Sequence, residues 1–311
     1  MSKNGLPRKP LTKRRLKNLI LNVLKNPFNM VVLVSLIILF CLIIIPLLTM
    51  ISSTFTLAQG ELRRVQGHVG DFTLYYWKYI LTGTMANAVL WGPLKNSFVC
   101  GFFTVLVSVP LGSVLAWLMI RTDIPGKKVL GLLVTVPYMI PSWTKALAWL
   151  AMFRNSPSGA NGFLAGMGIP IPDWLAYGPI AIVLCMSMHY YAFSYIMVSG
   201  ALRSINSELE EMGEIQGASK AQILRHITLP LILPSVLSAT VMTISKSIGT
   251  YGVPANLGNR IGYYTLATKM RNFIDQGPQA VGYAMSIVLV LLAAVIIFSN
   301  QRIVGVRKSY A

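Results

Sequence analysis

Six apolar runs, each about 20 residues long, limit the folds that this chain can adopt. Each run carries at most one Lys or Arg and no Asp or Glu, so it is too apolar for the surface of a water-soluble domain. An α-helix of this length rises about 1.5 Å per residue and crosses the ~30 Å hydrocarbon core of a bilayer. The sequence therefore predicts an all-α membrane protein with six transmembrane helices, at residues 30–51, 97–120, 129–151, 178–200, 228–249 and 281–300.

Basic residues concentrate in segments that fall on one side of the membrane if the six spans alternate. Residues 1–26 contain eight Lys or Arg and no acid, and the loop "RTDIPGKK", residues 203–225 and residues 301–311 contain three each. Loops rich in Lys and Arg stay in the cytoplasm. We therefore expect a bacterial inner-membrane protein with both termini in the cytoplasm, made of a basic segment 1–29, a six-span domain 30–300 and a tail 301–311.

The net charge of +18 would by itself also suit a nucleic-acid-binding protein. The Lys and Arg residues lie mainly in segments on one side of the membrane, which is the distribution that sets the orientation of a membrane protein. We therefore expect the lipid bilayer and no nucleic acid as a partner. Cys41, Cys100 and Cys185 all lie inside apolar runs, and no CxxC spacing exists, so neither disulfides nor a metal site is predicted. The lone His68 and His189 are interpreted as packing or hydrogen-bonding residues.

Two prolines and two lysines interrupt the predicted spans. Pro137 and Pro141 each remove a backbone donor and are expected to kink the third span. Lys145 lies in the same span and Lys246 in the fifth. A charge at bilayer depth costs at least ~2.5 kcal/mol, so such a lysine faces a partner or a pathway unless it lies near a span end and snorkels. Both interpretations remain open for each lysine.

The segment "GTYGVPANLGNRIGYYTLATKMRNFI" follows the fifth span and is rich in residues that interrupt helices. We expect an external re-entrant turn and then a short surface helix at about 264–274. Tyr251 and Pro254 in the turn are candidates for a gate or for a docking surface. The alternative is that the segment is only a connecting loop.

The stretch "EEMGEIQGASKAQILRHITLPLILP" holds an acidic cluster in an otherwise basic chain. The pattern Ser207-x-x-Glu210 is a capping box and predicts a helix from about Glu208, which Gly217 should end. Ser219-x-x-Gln222 predicts a second helix that continues into the fifth span. The sequence therefore predicts a short amphipathic helix, a glycine turn and another helix on the cytoplasmic side, either docked on a partner or folded back on the spans.

This stretch resembles the EAA motif of the permeases of type I ATP-binding-cassette (ABC) importers. That motif reads Glu-Ala-Ala, three residues, Gly, nine residues, then Ile-x-Leu-Pro. Glu211 begins the match, Gly217 is the glycine, and Ile227-Thr228-Leu229-Pro230 closes it at the same spacing. Met212 and Gly213 stand in place of the two alanines, which is a departure from the motif.

The resemblance implies that the loop 203–228 is a coupling loop, whose helix sits in a groove of a separate ATPase subunit and transmits its motion to the pore. The residues assigned to this coupling are Glu210, Glu211, Glu214, Gly217, Ala218, Ile227, Leu229 and Pro230. The implied partners are ABC ATPase subunits, an extracytoplasmic solute-binding protein, and a second permease or a second copy of this chain. The chain has no GxxxxGK[ST] phosphate loop, so ATP and Mg²⁺ belong to the ATPase and no cofactor is expected here.

The segment "KNSFVCGFFTVLVSVPLGSVLAWLMIRTDIPGKK" and "YGVPANLG" look most like the subgroup of permeases for iron(III), polyamines, thiamine and phosphonates. Permeases of the iron type are often single chains with two six-span units, whereas this sequence contains one. The expected function is thus a non-enzymatic importer permease for iron(III) or a related small solute. The alternatives are an ion-coupled secondary transporter, disfavoured because no span contains an acid, and a membrane scaffold.

Overall fold

The computed structural model describes residues 27–61, 65–156, 160–206 and 208–308. This part of the chain is helical and contains no β-strand, only one isolated antiparallel bridge between Thr56 and Phe72. The chain divides after Ser53 into two units. The first is a single helix in its described part, and the second holds all the other helices.

The longer helices coincide with the predicted spans. They are α1 (Pro27–Ser53), α3 (Gly92–Arg121), α4 (Lys127–Met139), α5 (Ser142–Phe153), α8 (Pro179–Ser204), α11 (Leu229–Gly249) and α14 (Gln279–Lys308). Five stretches in the described residues are long and apolar enough to cross a membrane, and they contain α1, α3, α8, α11 and the first part of α14, up to Ser299. The predicted all-α membrane fold is confirmed, and the predicted span without such a stretch is the third.

Shorter helices fill the connections. They are α2 (Tyr75–Leu81), α6 (Phe163–Gly166), α7 (Asp173–Ala176), α9 (Glu208–Ile215), α10 (Lys220–Ile223), α12 (Gly252–Leu257) and α13 (Leu266–Gln276). The 3-10 turns Gln59–Glu61 and Asn259–Ile261 and the π-helical segments Asn87–Trp91 and Leu224–Thr228 complete the set. The predicted surface helix at 264–274 is therefore present as α13, which a capping box at Thr265 starts.

The predicted third span, 129–151, is two helices and not one. α4 ends at Met139, Ile140 is extended with ψ 131°, and Pro141 precedes the first residue of α5. The cause is Pro141, because proline disfavours the α conformation of the residue before it. Pro137 was expected to kink the span as well, but it lies inside α4. Each half is shorter than a bilayer is thick, so the third span is not one continuous helix and the count of six membrane crossings stays a prediction.

Gly112 allows α3 and α8 to pack in close contact. A Cβ atom placed on Gly112 would lie 2.4 Å from the Tyr191 carbonyl oxygen and 2.7 Å from the Ser194 Cβ. Small residues at such crossings let helix backbones approach, which is a main source of helix association in lipid. The contact between α3 and α8 is the most extensive one between two helices in the described residues.

Replacing Gly112 with alanine is expected to reduce the yield of folded protein severalfold, because the added methyl group meets backbone atoms that cannot move independently of the helix. The measurement is the monodisperse fraction on size-exclusion chromatography in mild detergent. Gly200→Ala is the matched control, since Gly200 lies inside α8, the partner helix of α3, and a Cβ there meets nothing within 4 Å. Equal yields of the two variants would contradict this role of Gly112.

The helix termini of the second unit gather at two ends. At one end, which we call the coupling end, Arg121 closes α3 and its guanidinium contacts the Ile205 carbonyl just after α8. At the opposite end, the amide of Gly178 before α8 donates to the Leu257 carbonyl at 2.8 Å. α3 and α8 therefore end on the same side of the second unit, and the segment that follows α11 returns to the side where α8 begins.

The buried core near the opposite end joins several elements. Ala146 and Leu150 of α5 pack with residues of α8 and with Val253 and Leu257 of α12. A separate cluster packs α2 and α13 against the start of α14 through Tyr76, Leu266, Met285 and their neighbours. The turn after the fifth span is therefore folded against the bundle, which positions the end of α11 precisely.

Candidate functional site

The predicted coupling stretch forms the helix pair that the sequence indicates. α9 begins at Glu208, as expected, while Ser207, the expected cap, lies outside the described residues. Ser219 starts α10 with the predicted capping box: its hydroxyl accepts from the Gln222 amide at 3.4 Å, and its own amide donates to the Gln222 side chain at 2.8 Å. From there the helix continues through the π-helical segment into α11.

Gly217 ends α9 in the left-handed conformation that the sequence predicts. Its φ is +83°, and the amide of Ala218 returns to the Gly213 carbonyl at 3.0 Å. Such a terminus satisfies carbonyls that the helix leaves unpaired and favours glycine, because other residues pay ~1–2 kcal/mol for this conformation. The backbone conformation, and not a lack of space, therefore requires glycine here, since a Cβ at Gly217 would meet nothing within 4 Å.

Glu210 is fixed inside the chain. Its carboxylate lies 3.0 Å from the Arg121 Nε, and it accepts a hydrogen bond from the Thr228 hydroxyl at 2.7 Å. Both charged side chains are largely buried, with 15% and 18% of their surface exposed. Glu210 thus ties α9 to the end of α3 and to the start of α11.

The opposite face of α9 is apolar and exposed. Leu209, Met212 and Ile215 are 48%, 56% and 85% exposed. Glu211 and Glu214 flank them and are exposed as well. An amphipathic helix held rigidly with its apolar face uncovered is the surface that a groove in another protein binds.

The remaining residues assigned to coupling lie around this helix pair. Ile227 packs on Gly213, where a Cβ would come within 3.2 Å of its side chain. The glycine that replaces alanine in the motif therefore gives α9 and the π-helical segment room to pack closely. Ala218 is half-buried, while Leu229 and Pro230 are exposed at the start of α11.

The second set of predicted residues lies far from the coupling end. Lys246 donates to the Tyr138 hydroxyl at 2.9 Å, and its ammonium lies 4.1 Å from the centre of the Phe193 ring. Lys145 contacts His189 Nδ1, and the His189 ring stacks on Tyr138 at 5.3 Å between centroids. The two lysines therefore belong to one cluster, although they lie on different predicted spans.

Tyr251 and Pro254, the other candidates for a pathway or gate, are placed differently. Tyr251 is 45% exposed, whereas Pro254 is buried in α12. Their role in a gate stays a prediction.

Sequence reasoning missed several residues of both sites. Arg121 was interpreted only as part of a topology signal, and Thr228 as the variable position of Ile-x-Leu-Pro. Tyr138 and Phe193 gave no signal in the sequence, and His189 was interpreted as a packing or hydrogen-bonding residue without its partner Lys145. Only the unusual presence of lysines in apolar runs could have drawn attention to this region.

The helical bundle, its exposed amphipathic helix and its interrupted third span define a multi-pass membrane protein of the permease class. Residues 108–308 match the family model described as "binding-protein-dependent transport system inner membrane component". The chain belongs to this family, the permease subunits of ABC importers, as the EAA-like motif predicts. Inner-membrane localisation follows from the family and from the apolar helices.

Three comparisons illustrate the relationship. PhnV of Salmonella typhimurium, named as a 2-aminoethylphosphonate transport system permease protein, is 28% identical over 232 residues, which are 75% of this chain and 80% of PhnV. The cysT protein of Marchantia polymorpha, named as a sulfate transport system permease protein, is 28% identical over 189 residues, 58% of this chain and 62% of that protein. A chain in the crystal structure of a bacterial ABC transporter involved in alginate import shares the fold, with a TM-score of 0.68 at 18% identity over 93% of this chain and 98% of that chain.

Proposed function

We propose that this chain forms half of the translocation pathway of an ABC importer and couples to a separate ATPase through residues 203–228. The observation that carries the proposal is the exposed apolar face of α9 on a helix whose other face is anchored by Glu210. A rigid helix that is tied to two spans transmits a displacement that a flexible loop would absorb. ATP and Mg²⁺ are bound by the ATPase subunits.

The proposal includes two further partners. An extracytoplasmic solute-binding protein delivers the solute to the opposite end, and a second permease or a second copy of this chain completes the pathway. We assign both termini to the cytoplasm because residues 1–26 and 301–311 are rich in Lys and Arg. The coupling end is assigned to the same side, since Lys127, Lys128 and Arg203 line one cavity there and Arg121 and Lys220 line another. An ion-coupled mechanism is disfavoured, since all nine acids of the chain lie outside the predicted spans.

For the solute, we propose a small oxyanion of the phosphonate or sulfate kind. The names of PhnV and cysT support this choice, and phosphonate was among the solutes expected from the sequence. Iron(III) remains a prediction that neither of these relatives supports, and the same holds for polyamines and thiamine.

Gly217→Val tests the coupling. The β-branched side chain is poorly compatible with a φ of +83°, so the end of α9 is expected to shift and the recovery of ATPase with the tagged permease to fall roughly tenfold. The ATPase is identified by its phosphate-loop peptides and by ATP hydrolysis that the binding protein stimulates. The same assay separates a transporter from a scaffold, which would show no such stimulation.

Gly217→Asn is the matched control, because asparagine tolerates the left-handed conformation, and it should retain most of the ATPase. Undiminished ATPase recovery and stimulation in the valine variant would contradict the proposed coupling.

A further inference from the structure

The lysine cluster lies near the middle of the membrane-spanning part of the protein. His189 and Phe193, which contact the two ammonium groups, are 10 and 14 residues from the start of α8 at Pro179. At about 1.5 Å per residue they lie roughly 15 and 21 Å into a helix that is about 39 Å long. Lys145 is the fourth residue of α5 and Lys246 is in the last turn of α11. These helix ends do not lie at a membrane surface, since both ammonium groups contact α8 near its middle and the Thr250 hydroxyl just after α11 is 2.7 Å from the Tyr190 hydroxyl. Snorkelling therefore does not account for either lysine.

Neither ammonium group has a carboxylate partner. In the residues that the structure describes, the ion pairs involve other groups, and all nine acids of the chain lie outside the predicted spans. Unpaired cations at bilayer depth are costly, and proteins keep them where they meet a counter-charge. An anion from outside this chain would supply a counter-charge to both lysines, in addition to the aromatic faces of Tyr138 and Phe193 that lie beside the Lys246 ammonium.

The groups around the lysines are arranged as hydrogen-bond donors. Each ammonium has three N–H groups, and the single contacts of Lys145 with His189 and of Lys246 with Tyr138 leave further donors free. The Tyr138 hydroxyl accepts from Lys246 and keeps its own proton to donate. Lys246 is exposed, while Lys145, His189 and Tyr138 are half-buried, so a ligand can reach the cluster from the surface of the bundle.

A basic cavity continues from the cluster towards the coupling end. It has a volume of about 710 Å³ and lies between α3, α4 and α8. Thr135 and Ile196 in its wall are three residues, or about one helical turn, from Tyr138 and Phe193. Lys127, Lys128 and Arg203 line its rim, and no acid is among the described residues that line it. The electrostatic potential in the cavity and at the lysine cluster is therefore positive, which favours an anion in both places.

We propose that Lys145, Lys246, His189 and Tyr138 form a binding site for a small oxyanion halfway across the membrane, on the translocation route. The proposal rests on the function proposed above and gives it a physical basis for solute selection. Ammonium and hydroxyl donors suit the oxygens of a sulfate or phosphonate group, and two adjacent cations repel a polyamine or a free metal cation.

The test uses the permease complex with its ATPase in lipid nanodiscs, without the binding protein. Binding of labelled sulfate and labelled phosphate is measured by equilibrium dialysis, with 2-aminoethylphosphonate and spermidine as competitors. We expect saturable binding of an oxyanion that spermidine does not displace. Lys145→Met and Lys246→Met should each weaken it about ten- to a hundredfold, as expected for loss of a charged hydrogen-bond donor.

Three controls keep the result interpretable. Lys145→Arg and Lys246→Arg retain the charge and should bind within a few-fold of the wild type, and Lys78→Met, at an exposed position of α2 outside the cluster and the cavity, should bind as the wild type does. Wild-type protein that binds none of the three anions, or methionine variants that bind them unchanged, would overturn the inference. A third result would also overturn the oxyanion site. If the wild type binds no anion and the methionine variants lose the association between permease subunits, the two lysines belong to the interface between those subunits.

The same preparations separate this inference from the proposed function. ATPase recovery and ATP hydrolysis report on the coupling end and do not depend on Lys145 or Lys246. Intact coupling without anion binding would reject only the oxyanion site, whereas absence of the ATPase would reject the proposed function itself.

Discussion

Replacing both Met212 and Ile215 with aspartate is expected to abolish ATP-dependent transport and to release the ATPase. The two side chains are 56% and 85% exposed, so the change costs the folded permease little. In a docked complex they would be buried, and each is worth about 1.5–3 kcal/mol when fully buried. An unpaired aspartate at the same place adds a desolvation penalty of several kcal/mol. The combined loss exceeds a thousandfold in affinity.

The measurement for this variant is ATPase recovery at a series of permease concentrations, together with transport in proteoliposomes. A variant with leucine at both positions is the matched control, because it keeps the apolar face and should retain binding within a few-fold. Normal elution of the aspartate variant on size-exclusion chromatography shows that it is folded. Unchanged transport by that folded variant would place the ATPase contact elsewhere.

Breaking the Arg121–Glu210 pair is expected to have the second largest effect. Arg121→Ala leaves the carboxylate of Glu210 largely buried without its cation, which should cost about 1–3 kcal/mol of folding free energy. The change removes the ion pair that ties α9 to the end of α3 and leaves α9 held to the start of α11 by the Thr228 hydrogen bond alone. We therefore expect transport to fall more than tenfold, even where the ATPase still binds and hydrolyses ATP.

A double-mutant cycle distinguishes this effect from a general loss of packing. Arg121→Ala combined with Glu210→Ala should be less damaging than the sum of the two single changes, since no unpaired charge remains. The exposed pair Arg271–Asp275 is the control, because its side chains are 54% and 44% exposed and such pairs contribute little. If the effect of the double change equals the sum of the effects of the two single changes, Arg121 and Glu210 do not stabilise each other.

Local chemistry explains why much of this architecture could be predicted from the sequence. Apolar runs fix the positions of spans, and the cap at Ser219 and the glycine at 217 define helix ends through neighbouring backbone groups. An interruption of the third span was predictable, because proline disfavours the helical conformation of the residue before it. Its position was not, since Pro137 is accommodated inside α4 and only Pro141 divides the span.

Contacts between distant parts of the chain could not be predicted in the same way. Arg121 and Glu210 are 89 residues apart, and Tyr138 and Lys246 are 108 apart. No local pattern marks such partners. The acidic cluster indicated a partner protein, but the structure shows that one of its members, Glu210, instead binds within the chain. The two lysines became a single cluster only through the packing of α4, α5, α8 and α11.

The central claim is that the exposed face of α9 is covered by an ATPase. Its most direct test is the rate at which a maleimide labels Ile215→Cys, in a background with Cys41→Ala, because Cys100 and Cys185 are buried. Asp123→Cys, at an exposed position in a neighbouring loop, is the reference. We expect rapid labelling of the permease alone and at least tenfold slower labelling of position 215 in the complex with its ATPase, with a smaller change at position 123. Equal labelling of position 215 with and without the ATPase would contradict the claim.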